Sequence, residues 1–316
     1  MSRIVHVAVG VIVGKDGRIL IAKRPEQAHQ GGLWEFPGGK VEHQETLAAA
    51  LKRELYEELA IRVVATEPLI QIRHDYGDKT VLLDVLKVTD FTGVPCGNEG
   101  QPIAWVEPQE LHHYPFPAAN RPIVTAIQLP SRFLITGEFS SLDDLVVRTE
   151  SALQNGLRLV QLRLSAFNLL EQAAAAISEL CQRYNAQLLI NTSPELFAAL
   201  QQKNIRAGLH LNASNLLACA CRPVDVLTLL SASCHNETEI QHAQKIGVDF
   251  VCLSPVQKTR SHLEQAAMGW QEFARLVDRA VIPVFALGGL TDTDLSQAVE
   301  NGAQGIASIS AWWPAN

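Results

Sequence analysis

From residue 132 to the C-terminus, eight short apolar runs rich in β-forming residues recur along the chain. They lie at Phe133–Thr136, Leu157–Leu162, Gln187–Ile190, Ala207–Leu211, Val226–Ser231, Phe250–Leu253, Val281–Leu287 and Gly305–Ile309. Segments with helical spacing separate most of them, at Leu142–Asn155, Leu169–Tyr184, Glu237–Ile246, Trp270–Val277 and Asp292–Asn301. Strands alternating with helices argue for βα units and a parallel sheet. Eight units within 132–316 predict a compact (β/α)8 TIM barrel rather than an open doubly wound sheet.

Residues 1–129 follow another rhythm. An apolar run from Ile4 to Val13, a turn at Lys15-Asp16-Gly17 and a second run at Arg18–Lys23 read as a hairpin. One helix follows from Leu47, then β-rich runs at Thr80–Thr89 and Ile103–Val106, then a short helix near Ile123–Gln128. This is a mixed α/β layout with its own core. The segment LPSR, 129–132, reads as a linker, giving domains 1–129 and 132–316.

With 47% hydrophobic and 19% charged residues, the chain has material for two cores. Its formal charge of −7 supplies no basic field for a nucleic-acid backbone, so no direct nucleic-acid contact is expected. The apolar N-terminal run is too short to span a bilayer, and no membrane role is expected. Six cysteines without a CxxC pair read as reduced thiols in the cytoplasm.

The chemistry concentrates between Gly38 and Ile61. Glu54, Glu57 and Glu58 fall at i, i+3 and i+4 of the helix, where like charges repel by a few tenths of a kcal/mol, ~0.3 per pair. A positive partner against that face would explain the arrangement. Carboxylates with little other ligand chemistry suit hard divalent cations, Mg²⁺ or Mn²⁺, and magnesium sites commonly include substrate phosphates. A phosphate ester or anhydride is the expected substrate.

Gly39, Glu45, Arg53, Glu54, Leu55, Glu57, Glu58 and Ile61 fit the spacing G-x5-E-x7-R-E-U-x-E-E-x-x-U, which resembles the Nudix box. The resemblance implies metal binding by Glu54, Glu57 and Glu58 with the Gly39 carbonyl, orientation of the glutamates by Arg53, and bracing of the loop by Glu45. A glutamate takes the proton of the attacking water; Glu54 is the expected base and Glu99 its alternative. Two positions depart from the family pattern: Ala60 and Gln44 stand where glycine is usual.

The flanks IAKRPEQAHQGGLWEFPGGK, NEGQPIAW and FPAANRP resemble MutT-type 8-oxo-dGTP diphosphatases from residue 4 to about 128. The resemblance makes Glu99 a further acidic residue at the metal and Asn120 the amide that reads the oxidised guanine. It makes Arg24, Glu35 and Phe36 part of the base pocket and Lys40 and Lys79 phosphate contacts. His29, His74, His112 and His113 show no ligand spacing.

In the second domain the order of VQLR (160–163), LLIN (188–191), GLHL (208–211), SASCH (231–235), LSPV (253–256), ALGGL (286–290) and GIASIS (305–310) resembles the thiamine-phosphate synthase superfamily, which includes thiazole tautomerases. A phosphate cradle is implied at Gly288, Gly289 and the turn Ser308–Ser310. Other parts depart: Ser165, Thr192 and Asn215 replace a lysine and two aspartates of the synthases, and TRSH (259–262) departs from their TxTK-like segment. Synthase activity is not expected. His235 matches the proton-transferring histidine of the tautomerases.

The leading expectation is a Mg²⁺-dependent hydrolase converting 8-oxo-dGTP to 8-oxo-dGMP and pyrophosphate, joined to a barrel that binds a phosphorylated thiazole-type ligand. Two alternatives stay open. The substrate could be a thiamine-related diphosphate, with the barrel acting as a tautomerase, or the barrel could be a non-catalytic metabolite sensor.

Overall fold

In a computed structural model of the chain, the structure describes residues 4–28, 30–75, 80–164, 169–258 and 266–313. It divides into two compact units, Met1–Gln128 and Leu129–Asn316. Lys79, Ser165 and the segment 259–262 lie outside the described residues. No helix among the described residues is long and apolar enough to cross a membrane.

The first unit is built on a mixed seven-stranded sheet. Its strands are β1 (Ile4–Val13), β2 (Ile19–Lys23), β3 (Trp34–Glu35), β4 (Gly38–Lys40), β5 (Arg62–Asp75), β6 (Thr80–Thr92) and β7 (Ile103–Val106). β1 lies at the centre, parallel to β6 and antiparallel to β2 and β4. It is buried on both faces, which is why its sequence is a continuous apolar run rather than an alternating one. Helix α1 (Leu47–Leu59) packs Ala50, Leu51, Leu55 and Leu59 onto Ala8, Ile12, Leu20 and Val88. Thr46 caps it, accepting from the Ala49 N–H at 3.2 Å. Gly10 lets the helix approach, since a Cβ there would meet Leu55 Cδ1 at 3.0 Å. Helix α2 (Arg121–Gln128) closes the unit. The 14-residue strand β5, which the sequence reading passed over, pairs with β6 through several register shifts.

The second unit is a closed barrel of eight parallel strands. They are β8 (Arg132–Ile135), β9 (Leu159–Leu162), β10 (Gln187–Asn191), β11 (Gly208–Leu211), β12 (Leu230–Cys234), β13 (Phe250–Leu253), β14 (Val284–Leu287) and β15 (Gly305–Ser308). Phe133, Phe250 and Phe285 fill the interior, with ring centroids 5.4–5.8 Å apart. The outer apolar faces of the strands pack on helices α3 (Leu142–Gln154), α4 (Leu170–Arg183), α5 (Pro194–Gln201), α6 (Ala213–Ala218), α7 (Glu237–Lys245), α8 (Gly269–Val277) and α9 (Leu295–Glu300).

One expected strand is displaced. The sequence predicts a strand over Val226–Ser231, but Val226 and Leu227 are exposed and β12 begins only at Leu230. Asp225 is the reason: its carboxylate accepts from the N–H groups of Leu227 and Thr228 and from the Thr228 hydroxyl. That turn holds the backbone out of the ladder.

Candidate active site

Strand β4 and helix α1 bring the box residues together. Gly39 lies where β4 passes under the helix, and the Glu54 carboxylate rests on it: a Cβ at Gly39 would meet Glu54 Cδ at 2.1 Å. Arg53 is the hub. Its Nε and Nη2 donate to the two oxygens of Glu45 at 3.1 and 2.9 Å, and its Nη1 to Glu54 at 2.8 Å and Glu57 at 3.4 Å. Nη2 also donates to the Lys40 carbonyl at 3.1 Å, tying helix to strand. The guanidinium beside Glu45 holds that carboxyl below its usual range. Glu45 in turn accepts from the Glu42 N–H and so braces the loop entering α1.

Glu58 sits deeper. It accepts from the Gly38 N–H at 3.1 Å. Burial pushes its carboxyl up to about 8, and the charges of Glu35, Glu54 and Glu99 push the same way. Three other carboxylates, those of Glu35, Glu54 and Glu99, thus lie near enough to the buried Glu58 for their charge to act on it. Glu35 is likewise raised by burial, against the pull of Arg24, to which it is hydrogen-bonded.

Glu99, which the sequence resemblance makes an acidic residue at the metal, lies in the loop 96–101. The loop 96–101 binds the C-terminal end of α1, where helix carbonyls lack partners. Asn98 Nδ2 donates to the Glu57 carbonyl at 2.8 Å, Gln101 Nε2 to the Glu58 carbonyl at 2.9 Å, and the Cys96 N–H to the Leu59 carbonyl at 3.1 Å. Gln101 also accepts the Glu99 N–H at 2.9 Å. The amides of NEGQP thus carry Glu99 to the glutamate face.

The residue types fit a divalent cation. Carboxylate oxygens are the donors hard cations take, and a buried carboxyl near three others gains most from added positive charge. As they stand, no three His, Cys, Asp or Glu side chains among the described residues are drawn together tightly enough to hold an ion. The glutamates are instead engaged by Arg53 and by the Gly38 N–H.

Phe36 is buried and stacks on Phe116, centroids 5.1 Å apart and planes 12° apart. Trp34 meets Tyr114 edge-on at 5.3 Å, and the Trp34 backbone N–H donates to the Pro115 carbonyl. The 114–117 segment therefore packs against Trp34 and Phe36, a partnership that sequence spacing does not reveal. Asn120 ends a single turn of 3-10 helix, Ala118–Asn120, and its side-chain amide forms no hydrogen bond among the described residues. Lys40 is exposed on β4.

The profile of the family described as "NUDIX domain" matches residues 8–126, and that of "Thiamine monophosphate synthase" matches residues 133–312. The chain belongs to both families. Its first unit is a Nudix hydrolase. That unit is 40% identical over 118 residues to the CTP pyrophosphohydrolase of Escherichia coli, covering 37% of this chain and 87% of the relative. It is 45% identical over 86 residues to the 8-oxo-dGTP diphosphatase of Proteus vulgaris, covering 27% and 77%. The barrel is 31% identical over 186 residues to the putative thiamine-phosphate synthase 2 of Aquifex aeolicus, covering 58% and 98%.

At the C-terminal end of the synthase-like barrel the lining is polar. His210 is buried between the hydroxyls of Ser231 and Ser233, each 2.8 Å from a ring nitrogen. Burial, and then the Arg163 charge, lower its pKa to about 3. Thr192 and Asn215 meet each other: Asn215 Nδ2 donates to the Thr192 carbonyl at 3.2 Å. Gly288 and Gly289 both have positive φ, 107° and 70°. At Gly289 a Cβ would also strike the Lys258 carbonyl at 2.5 Å. The Ser308 hydroxyl is buried and used within the chain, donating to the Leu290 carbonyl and accepting from Ala311. The Ser308 hydroxyl is therefore spent within the chain. His235 accompanies Glu239, whose carboxylate lies 3.0 Å from Nδ1 and 2.7 Å from the His235 backbone nitrogen. Glu239 was absent from the sequence reading, although i,i+4 spacing at a helix start was its signal.

Proposed function

We propose that the Nudix unit hydrolyses 8-oxo-dGTP to 8-oxo-dGMP and pyrophosphate, and so removes an oxidised nucleotide before replication uses it. The observation that carries this reading is the convergence of α1 and β4, where Arg53 holds Glu54 and Glu57, Glu54 rests over Gly39, and Glu58 accepts from the Gly38 N–H. Glu54, Glu57, Glu58 and Glu99, with the Gly39 carbonyl, would hold Mg²⁺ or Mn²⁺. Such an ion neutralises phosphate charge and acidifies water. Glu54 takes the water's proton, Arg53 fixes its direction, and Lys40 and Lys79 meet phosphate. The amide of Asn120 can donate and accept at a purine edge, with Arg24, Glu35 and Phe36 completing the base pocket. A cytoplasmic location goes with this reading, since all six cysteines are free thiols.

A second substrate has a specific observation behind it: the 40% identity to a CTP pyrophosphohydrolase. Initial rates with Mg²⁺ for 8-oxo-dGTP, dGTP, CTP and a thiamine-type diphosphate decide the matter. A kcat/KM highest for 8-oxo-dGTP supports the proposal. A maximum at CTP or at the thiamine compound replaces it.

For the barrel we propose binding of a phosphorylated thiazole-type ligand without synthase activity. Backbone at Gly288, Gly289 and the Ser308–Ser310 turn takes the phosphate, and His235 oriented by Glu239 faces the ring. Thr192 and Asn215 are neutral side chains, so this pair supplies no carboxylate for the magnesium that a departing pyrophosphate requires. Titration calorimetry with the thiazole phosphate, beside a synthase assay, tests both parts. Absence of binding, or synthase turnover, refutes them in turn.

A further inference from the structure

The Nudix helix α1 is divided in charge around its circumference. Glu54 and Glu58 share one flank, while Lys52 and Tyr56, also four residues apart, share another. Beside that second flank, where α1 leads into β5, lies an open cleft of ≈ 450 Å³ lined by Lys52, Arg53, Tyr56, Arg62 and Val63. Among the described residues that line it, Lys52, Arg53 and Arg62 are cationic, on a chain of net charge −7. Arg53 is committed to Glu45, Glu54 and Glu57. Lys52 and Arg62 are exposed and form no ion pair among the described residues. Arg62 lies over the Tyr56 ring, 5.3 Å from its centroid, and Tyr56 as a residue is 51% exposed. Val63 supplies a buried apolar floor.

We propose that this cleft is a second nucleotide site, distinct from the hydrolytic one, that takes a nucleoside monophosphate. Base and sugar lie on Tyr56 and Val63, since an aromatic face stacks on any base. The phosphate sits between Lys52 and Arg62, whose two charges match a dianion. Arg53 borders the cleft and also holds Glu54, so a phosphate drawn to its guanidinium weakens its grip on the glutamate. Occupancy therefore slows the neighbouring hydrolysis. A nucleoside monophosphate is also the class of product left when a nucleoside triphosphate loses pyrophosphate.

The test uses the full chain in EDTA, so that binding is read without hydrolysis. Calorimetric titration with dGMP is expected to show an equivalent of bound nucleotide that Lys52→Ala/Arg62→Ala removes or weakens at least ~10-fold. Asn120→Ala, on the proposed base pocket, leaves that equivalent in place. Deoxyguanosine, which lacks the phosphate, binds there at least ~10-fold more weakly. No binding by the wild type, unchanged binding by the double variant, equal binding of deoxyguanosine, or loss on Asn120→Ala would each overturn the proposal. The last outcome places dGMP in the hydrolytic pocket and leaves the substrate proposal intact.

Discussion

The Glu54 carboxylate lies so close over Gly39 that a Cβ on that glycine would come within 2.1 Å of Glu54 Cδ. The glycine is required by its neighbour and not by a positive φ of its own. Gly39→Ala therefore displaces Glu54 while leaving helix α1 and its core contacts in place. A misplacement of about 1 Å at a reacting group can cost on the order of 10²-fold in rate. We expect kcat to fall by about that factor, with circular dichroism and thermal stability nearly unchanged. Activity within about twofold of wild type would show that Glu54 has no positional role.

Ala60 ends α1 at φ 58°, ψ 25°, in the left-handed region. Gln44 takes φ 68° in the loop before it. Both stand where the family pattern has glycine, and both carry the strain a Cβ brings there. Ala60→Gly relieves that strain at the expense of a freer unfolded chain. The net gain is about 1 kcal/mol, and Gln44→Gly adds a similar amount. Differential scanning calorimetry should show the Nudix transition rising by roughly 3–5 °C for each. A fall in Tm on Ala60→Gly would mean that the alanine methyl makes a compensating contact.

Much of the fold was legible because periodicity reports burial. The barrel strands are covered on both faces and read as apolar runs, as at Phe250–Leu253. The failure at Val226 has a local cause: Asp225 offers the backbone a side-chain partner, and apolar periodicity contains no such information. The Nudix box was legible because several residue types at fixed spacing converge on one helix and one strand. Side chains brought in from a distance were not. Phe116 reaches Phe36 across 80 positions of sequence, and Asn98 reaches Glu57 across 41. Only the fold states those distances.

Arg53 forks between Glu45 and Glu54, a geometry that lysine cannot copy. Arg53→Lys keeps the charge and loses the bidentate grip. We expect kcat to drop about 10- to 100-fold with KM little changed, because an orienting contact has gone rather than a substrate contact. A variant that raises KM alone would reassign Arg53 to substrate binding.

Glu58 links metal-free stability to pH. Its carboxyl titrates near 8 in the folded unit, against 4.5 as its ordinary value. Between those values the folded state binds the extra proton, so its stability falls as pH rises through that window. In EDTA the Nudix unit should melt lower at pH 9 than at pH 6, and Glu58→Gln should flatten the difference. Added Mg²⁺ should restore the wild type at pH 9 and have little effect on the variant. A pH-independent melting temperature would remove Glu58 as the source.

His210 gives the barrel the opposite dependence. Its ring is buried between the Ser231 and Ser233 hydroxyls, and its pKa is lowered to about 3 by burial first and by Arg163 second. The neutral ring has one donor and one acceptor nitrogen, and the two serines satisfy both. A proton added in acid would be desolvated and would break one of these bonds. The unfolded chain, with an ordinary histidine near 6.5, accepts that proton readily. Stability conferred by His210 is therefore complete above about 6.5 and is lost as pH falls from there toward about 3. Urea unfolding of the barrel at pH 7 and pH 5 should show the wild type weakening in acid, and His210→Gln weakening less. Proton-detected histidine spectra should show one ring that does not titrate between pH 5 and 8. If all rings titrate near 6.5, His210 is open to solvent and the polar layer of the barrel is differently arranged.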